Sequence, residues 1–444
     1  MENREEFQIR IEKVSETFEG SGYLGDKKYS FRYAKENDEV SVYFTGKRKK
    51  YPRLTGIQKN SDHSSVRCRH FADCGGCAAQ HFPYEEQFRI KTNRLLQVYQ
   101  EKLNISIKPI PAQLQYGHRG RMDFAVYPGG IIGLREAGNF RRIINIESCE
   151  IQSKWANDEL KALRKVLEEH KGIELNRKTL EGYLKYITLR KSRFTEDNIS
   201  IFTFIEPFYD TDVEEKFRET VLASSTARNI VFCYNRTKSE VSAEGKFKVI
   251  RGTSFYTEHL MDKKIEIPFD SFFQPNIEGF MPVLEYTNKL IQHSKQKILL
   301  DIFCGNGFFS LLFGETFEEL YGFDISEAAI ERANLNLKKY FPGKNMSFFQ
   351  SDLLQLKESS FLKEQAEKNS LALLDPPRRG IGDRMIELLN ESHLEEIIYI
   401  SCNPYSQIED IEKLDNYVAL EGILTDPFPH SPHLESAVYL RRRN

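Results

Sequence analysis

The chain has 444 residues, 40% hydrophobic and 29% charged, with a formal net charge of −2. That length exceeds what one compact core holds and implies roughly two or three domains, and no run of about eighteen apolar residues is present to form a membrane-spanning helix. Met1 to Arg10 is charged and lacks the apolar stretch of a secretion signal, so a cytoplasmic protein is expected.

Residues 1–58 hold short runs of alternating or β-branched character, Phe7 to Ile11 and Val40 to Phe44, punctuated by Gly20, Gly22 and Gly25. This pattern predicts a small β-barrel. The near-neutral total charge argues against a nucleic-acid partner, but its distribution reverses that. Between Lys47 and Arg69 stand Lys47, Arg48, Lys49, Lys50, Arg53, Lys59, Arg67 and Arg69 against Asp62 alone, with Tyr43, Phe44 and Tyr51 in or beside the run. Basic groups neutralise phosphates and aromatic faces stack on bases. A solvated loop is the plainer alternative. Arg119 with Arg121, and Arg441 to Arg443, add further basic points.

Residues 59–265 form a predicted α+β region. It has helices over 84–103 and 157–170, and strands over 183–189, 199–205, 229–234 and 247–250. The seven cysteines cluster unevenly, with Cys68, Cys74 and Cys77 close together and Cys149 downstream. In a cytosolic chain such clustering points to a metal or to catalysis before disulfides. Four thiolates suit tetrahedral zinc as well as an iron–sulfur cluster. Cys233 fits no motif and is assigned to packing.

Residues 266–444 change character. A helix over 275–294 leads into the apolar run 297–302, and further strands are predicted over 321–324, 347–350, 371–375 and 397–401 with helices between them. Alternation of this kind predicts a doubly wound parallel α/β sheet. The first strand ends in Asp301-Ile302-Phe303-Cys304-Gly305-Asn306-Gly307-Phe308, where Gly305 and Gly307 let a ligand approach the backbone. Asp324, at the next strand end, suits two ribose hydroxyls, and Asp352, after the third, suits an adenine amine. A dinucleotide turn needs a third glycine; Ser310 stands there, with no basic residue near the turn. S-adenosylmethionine, which has no phosphate, fits better.

Two later strand ends carry Asp375-Pro376-Pro377-Arg378 and Ser401-Cys402-Asn403-Pro404, and a terminal hairpin is expected from 417–424 and 435–440. A lone cysteine is by default a small core residue, yet the polar neighbours of Cys402 suit a ligand-facing loop. A cysteine and a carboxylate at one cleft fit methylation at C5 of uracil. Thiolate addition at C6 places electron density on C5, and a base must later remove the C5 proton. Cys402 supplies the covalent catalyst and Glu435 the base, with Asp375 stabilising charge at O4. No local cation that would activate the thiol is evident. His430 and His433 are assigned to loop packing.

Ser271 to Asn276, Asp301 to Gly307, Asp375 to Arg378, Ser401 to Pro404 and His433 to Glu435 resemble the RNA uridine-5-methyltransferase family, which includes bacterial 23S ribosomal RNA and tRNA enzymes. The resemblance implies a Rossmann-like class I methyltransferase domain. It makes Cys402 the nucleophile and Glu435 the base, with Gln274, Phe303, Asp324, Asp352 and Asp375 around the donor and target base. Phe308 departs from the small or polar residue frequent there, and Asp324 from the common glutamate. Residues 1–58 resemble the RNA-binding TRAM domain, and Cys68, Cys74, Cys77 and Cys149 the [4Fe–4S] site of the ribosomal branch, read as a folding or RNA-docking element. A target base inside folded RNA must be turned out of its stack. The leading expectation is a monomeric enzyme acting on 23S ribosomal RNA; tRNA is the alternative substrate, and a catalytically silent RNA-binding protein the rival.

Overall fold

The computed structural model describes residues 6–45, 51–206, 211–236, 240–352 and 359–443. Among them, no helix is long and apolar enough to cross a membrane. The N-terminal region forms two three-stranded antiparallel sheets that share a core of Ile9, Ile11, Phe31, Ala34, Val40 and Val42. The barrel expected from sequence is thus a pair of sheets, not joined by strand pairing among the described residues. Lys47 to Lys50 and the side chain of Arg53 lie outside the described residues. Of the remaining basic run, Arg67 stacks on Tyr116 at 4.3 Å and Arg69 pairs with Glu147.

The central region is a seven-stranded sheet. One face packs on helices Lys154–Glu169 and Thr211–Ser224 through Leu160, Leu163, Phe202, Phe217 and Phe232, and the other buries Ile199, Ile201 and Val231 in a second core. Cys233 is buried on a strand of this sheet, the packing position expected of it.

The C-terminal layer carries the chemistry, and its elements are labelled here in chain order. They are α1 (Tyr84–Leu103), β1 (Ile107–Ile110), α2 (Ile277–His293), β2 (Ile298–Ile302), α3 (Phe308–Phe313), β3 (Glu319–Asp324), α4 (Glu327–Tyr340), β4 (Asn345–Gln350), α5 (Ser359–Ala366), β5 (Ser370–Leu374), α6 (Asp383–Glu391), β6 (Glu396–Ser401), α7 (Pro404–Glu412), β7 (Tyr417–Thr425) and β8 (Glu435–Arg442). The eight strands run in the order β4-β3-β2-β5-β6-β8-β7-β1. β2 to β6 are mutually parallel, while β8 runs antiparallel to both β6 and β7. Each central strand is apolar on both faces: Leu299 enters one core with α2, α3 and α4, and Leu300 and Ile302 enter another with α1 and α6. Burial on both faces is why these strands read as continuous apolar runs.

The boundary expected at residue 265 does not hold for this layer. α1 and β1 lie upstream of it, yet β1 pairs with β7 at Gly422 to Thr425, and α1 buries Leu95 and Tyr99 in the same core as β5 and β6. A four-residue edge strand containing Pro109 gives no periodic signal of its own.

Candidate active site

Parallel strands place their carboxyl ends along one edge, where the intervening loops form a cleft. At the end of β2, Asp301 is fully buried and accepts hydrogen bonds from the amide and hydroxyl of Ser310, tying the strand to α3. Burial pushes its carboxyl up to about 7. The turn between them forces Phe303 to φ 66° and Gly307 to φ 80°. At Gly307 a Cβ would also meet the Phe348 ring at 2.9 Å, so glycine is required there. Asp324 accepts the amides of Gly305 at 3.0 Å and Ser326 at 2.9 Å, which fixes the loop after β3 against the loop after β2.

These loops enclose a cavity of ≈ 580 Å³ lined by Gln274, Phe303, Gly305, Phe308 and Asp375, within the size range of small-molecule sites. Phe308, the departure noted in sequence, lines it directly. Asp324 borders the cavity through the two loops it holds, and Asp352 stands partly exposed beyond β4, outside that lining. One residue escaped the sequence reading. Arg332 of α4 reaches the cavity, held by Asp270 at 3.4 Å, although no cation was expected at this turn.

Asp375 forms the junction with the reactive end. It follows β5, and burial together with Asp301 pushes its carboxyl up to about 7. Cys402 follows the neighbouring strand β6, half-buried. Burial and the Glu435 carboxyl raise its thiol, opposed by the charge and hydrogen bond of Arg378. Arg378 is the cation that local sequence failed to supply. The Arg378 carbonyl accepts hydrogen bonds from Asn403 Nδ2 at 2.9 Å and from Ser406 Oγ at 3.2 Å, locking the loop after β5 to the loop after β6. Glu435 opens β8, which pairs with β6. It is 3% exposed, not the solvated strand-end charge that is the default, and burial and Asp375 raise its carboxyl well above the usual range.

The loop before Glu435 is held from the far side by α1. Lys91 and Asp426 form a fully buried ion pair at 2.7 Å, and Tyr84 Oη donates to the same carboxylate at 3.2 Å. His430, at φ 66°, packs as expected. Its Nδ1 accepts from Gln87 at 3.1 Å, its Nε2 donates to the Gln115 carbonyl at 2.9 Å, and burial depresses it to about 4. Its carbonyl accepts the amides of Ala78 and Ala79 at 2.7 and 3.1 Å, immediately after Cys77. The loop before Glu435 therefore rests on the cysteine-rich loop.

Cys68, Cys74, Cys77 and Cys149 line one cavity of ≈ 450 Å³. Burial and mutual repulsion push Cys77 up to about 12 and Cys149 up to about 11, and Gln80 Nε2 donates to Cys77 Sγ at 3.4 Å. Among the described residues, no three Cys, His, Asp or Glu side chains converge closely enough to hold a single metal ion.

A family model of tRNA (uracil-5-)-methyltransferases matches residues 245–443. The chain is 40% identical to an RNA methyltransferase of Leptospira interrogans, over 98% of this chain and 97% of that one. It is 32% identical to the tRNA (uracil(54)-C(5))-methyltransferase of Pyrococcus horikoshii, over 94% of this chain and 96% of the relative. The crystal structure of the Pyrococcus abyssi tRNA (uracil-54, C5)-methyltransferase in complex with S-adenosyl-L-homocysteine matches with a TM-score of 0.77 and 26% identity, covering 98% of this chain and 100% of that one.

Proposed function

Because this chain belongs to the tRNA (uracil-5-)-methyltransferase family and is an S-adenosylmethionine-dependent RNA methyltransferase acting on uracil C5, we propose that Cys402 is its nucleophile and Glu435 its general base. The donor contributes an electrophilic methyl group, held in the cavity of Gln274, Phe303, Gly305 and Asp375. The Cys402 thiol gives its proton to solvent, and Arg378 stabilises the resulting thiolate. The sulfur bonds to C6 of an extruded uridine as the C5–C6 π pair shifts towards C5 and O4, and the thiolate regains that proton when it is later expelled. Asp375, its carboxyl pushed up to about 7, donates a hydrogen bond to O4 in its protonated form as negative charge collects there. Once C5 carries the methyl group, Glu435 takes the C5 proton. The released electron pair restores the C5–C6 double bond and expels the sulfur. One proton leaves through Glu435 per methyl group transferred. Glu435 takes that proton in its ionised form, and burial together with Asp375 raises the affinity with which it does so. The observation that carries this reading is the convergence of Cys402, Glu435, Asp375 and Arg378 beside the donor cavity.

For the RNA class, the named relatives favour tRNA over the 23S ribosomal RNA that the cysteine pattern put first. The four cysteines would hold a [4Fe–4S] cluster. Their shared cavity of four thiols is what supports a polynuclear group there. Such a cluster supplies an electron-rich cofactor that the methyl transfer does not require. Its place in the reading is structural, through the Ala78 and Ala79 amides that seat His430. Residues 1–58 would grip flanking RNA as a TRAM-like module, and a monomer suffices because one chain provides every group invoked; the cytoplasm is the proposed location.

The test is incubation of the full chain with S-adenosylmethionine and 5-fluorouridine transcripts of tRNA and of 23S RNA fragments. Fluorine at C5 cannot leave as a proton does, so the adduct is trapped. A denaturant-resistant complex with tRNA, absent in Cys402→Ala, supports the reading. No adduct with either RNA would overturn the mechanism, and an adduct with the ribosomal fragments alone would reverse the substrate assignment.

A further inference from the structure

A second cavity, of ≈ 190 Å³, adjoins the donor site and shares Phe273 and Gln274 with it. Its other walls are the segment Gly117–Arg121 and the end of the central strand Leu184–Lys191 with the turn beyond. Basic side chains dominate it, and most are already neutralised. Arg121 is bound by Asp123 at 3.0 Å, Lys191 by Glu196 at 3.4 Å, and Arg193 by Glu278. Glu258 is spoken for, accepting the Ser192 hydroxyl at 2.7 Å and the amides of Arg193 and Phe194 at 2.8 and 2.9 Å.

Two guanidinium groups remain without a carboxylate partner among the described residues. Arg190 is 1% exposed. It donates to the carbonyls of Pro268, Phe269 and Ser271 at 3.0 to 3.1 Å and to Tyr256 Oη at 3.4 Å, while its Nε has no partner. Arg119 is half-buried, and its Nε donates only to the Arg121 carbonyl at 3.1 Å. An uncompensated buried cation is costly, and carbonyl dipoles offset that cost without cancelling the charge. Glu258 carries one negative charge in the same wall, its partners being neutral donors, so Arg119 and Arg190 against Glu258 leave the cavity one net positive charge that an anion would neutralise.

We propose that this cavity is an anion subsite that takes a backbone phosphodiester of the RNA strand next to the extruded uridine, with Arg119 as its contact and Arg190 as the buried charge behind it. The inference rests on the methyltransferase reading above. Turning a base out carries its flanking phosphates towards the pocket mouth, and a guanidinium fork matches phosphate oxygens. The donor's own carboxylate is the other anion with the same chemistry, and the experiment separates the two.

In the full chain, Arg119→Gln and Arg119→Lys are compared with wild type for RNA affinity across a salt series and for S-adenosylmethionine affinity. Arg119→Gln should weaken RNA binding about tenfold and lower the salt slope by about one unit. Arg119→Lys should restore the slope, and donor affinity should be unchanged in both. In a measurement independent of any folding defect, a neutral methylphosphonate at a phosphate flanking the target uridine should produce the same loss with wild-type protein. Unchanged RNA affinity and slope in Arg119→Gln and with methylphosphonate RNA would overturn the subsite, and weakening confined to the donor would reassign it to the donor carboxylate. Wild-type adduct formation on 5-fluorouridine RNA is the internal control: its absence indicts the methyltransferase mechanism, its presence with a flat salt response only this subsite.

Discussion

Replacing Glu435 with glutamine removes the proposed base and keeps the side-chain volume. The site is 3% exposed, so bulk water has poor access to substitute as proton acceptor. A positioned general base contributes roughly 10²- to 10⁴-fold, equivalent to about 3–5 kcal/mol of barrier, and the exclusion of water places the expected loss at the upper end. Folding should survive, because a neutral amide relieves the repulsion from Asp375 that raises the native carboxyl. The defect falls after methyl transfer. In a single-turnover experiment with labelled donor, Glu435→Gln should form a covalent protein–RNA complex carrying the methyl label at near-stoichiometric yield. Release of a C5 tritium from the uridine should be slowed by the full factor. Turnover within about tenfold of wild type, or an inactive variant that never forms the labelled complex, would refute the assignment of Glu435 to the last step.

Lys91→Met leaves Asp426 as an unpaired buried charge, since the pair is fully buried at 2.7 Å. Urea unfolding should show a loss of about 3–5 kcal/mol, and adding Asp426→Asn should recover a large part of it; no recovery would mean that the charge is not the cause. Asp301 titrates at about 7 when folded against 3.8 otherwise, so the native state holds a proton that the unfolded chain has released between those values. Its contribution is complete below pH 3.8 and is lost as pH rises to about 7. Wild type should therefore lose stability relative to Asp301→Asn by up to about 1.4 kcal/mol per pH unit across that window, and a pH-independent difference in paired denaturation curves would contradict the burial argument.

Local pattern was enough for the elements that lie wholly within one stretch of chain. The apolar run at 297–302, the amphipathic helix before it and the terminal hairpin all appear within a few residues of their expected bounds, because periodicity and buried parallel pairing are written in consecutive residues. The glycine turn was legible for the same reason: Asp301, Gly305 and Gly307 lie within one turn. The N-terminal module was read less fully, since strand propensity states neither how two sheets face each other nor whether their edges join.

What only the tertiary structure decided is which distant groups meet, and in what dielectric. Arg378 reaches Cys402 because β5 and β6 are neighbours in the sheet. The Glu435 carboxyl is raised because β8 inserts it beside that pair and removes it from water. α1 and β1 join the catalytic layer across more than a hundred intervening residues, through pairing energies that no local window contains. Residue types and their order determined which chemistry the chain can perform. Proximity and burial, which depend on contacts between remote segments, determined the charge state in which each group would perform it.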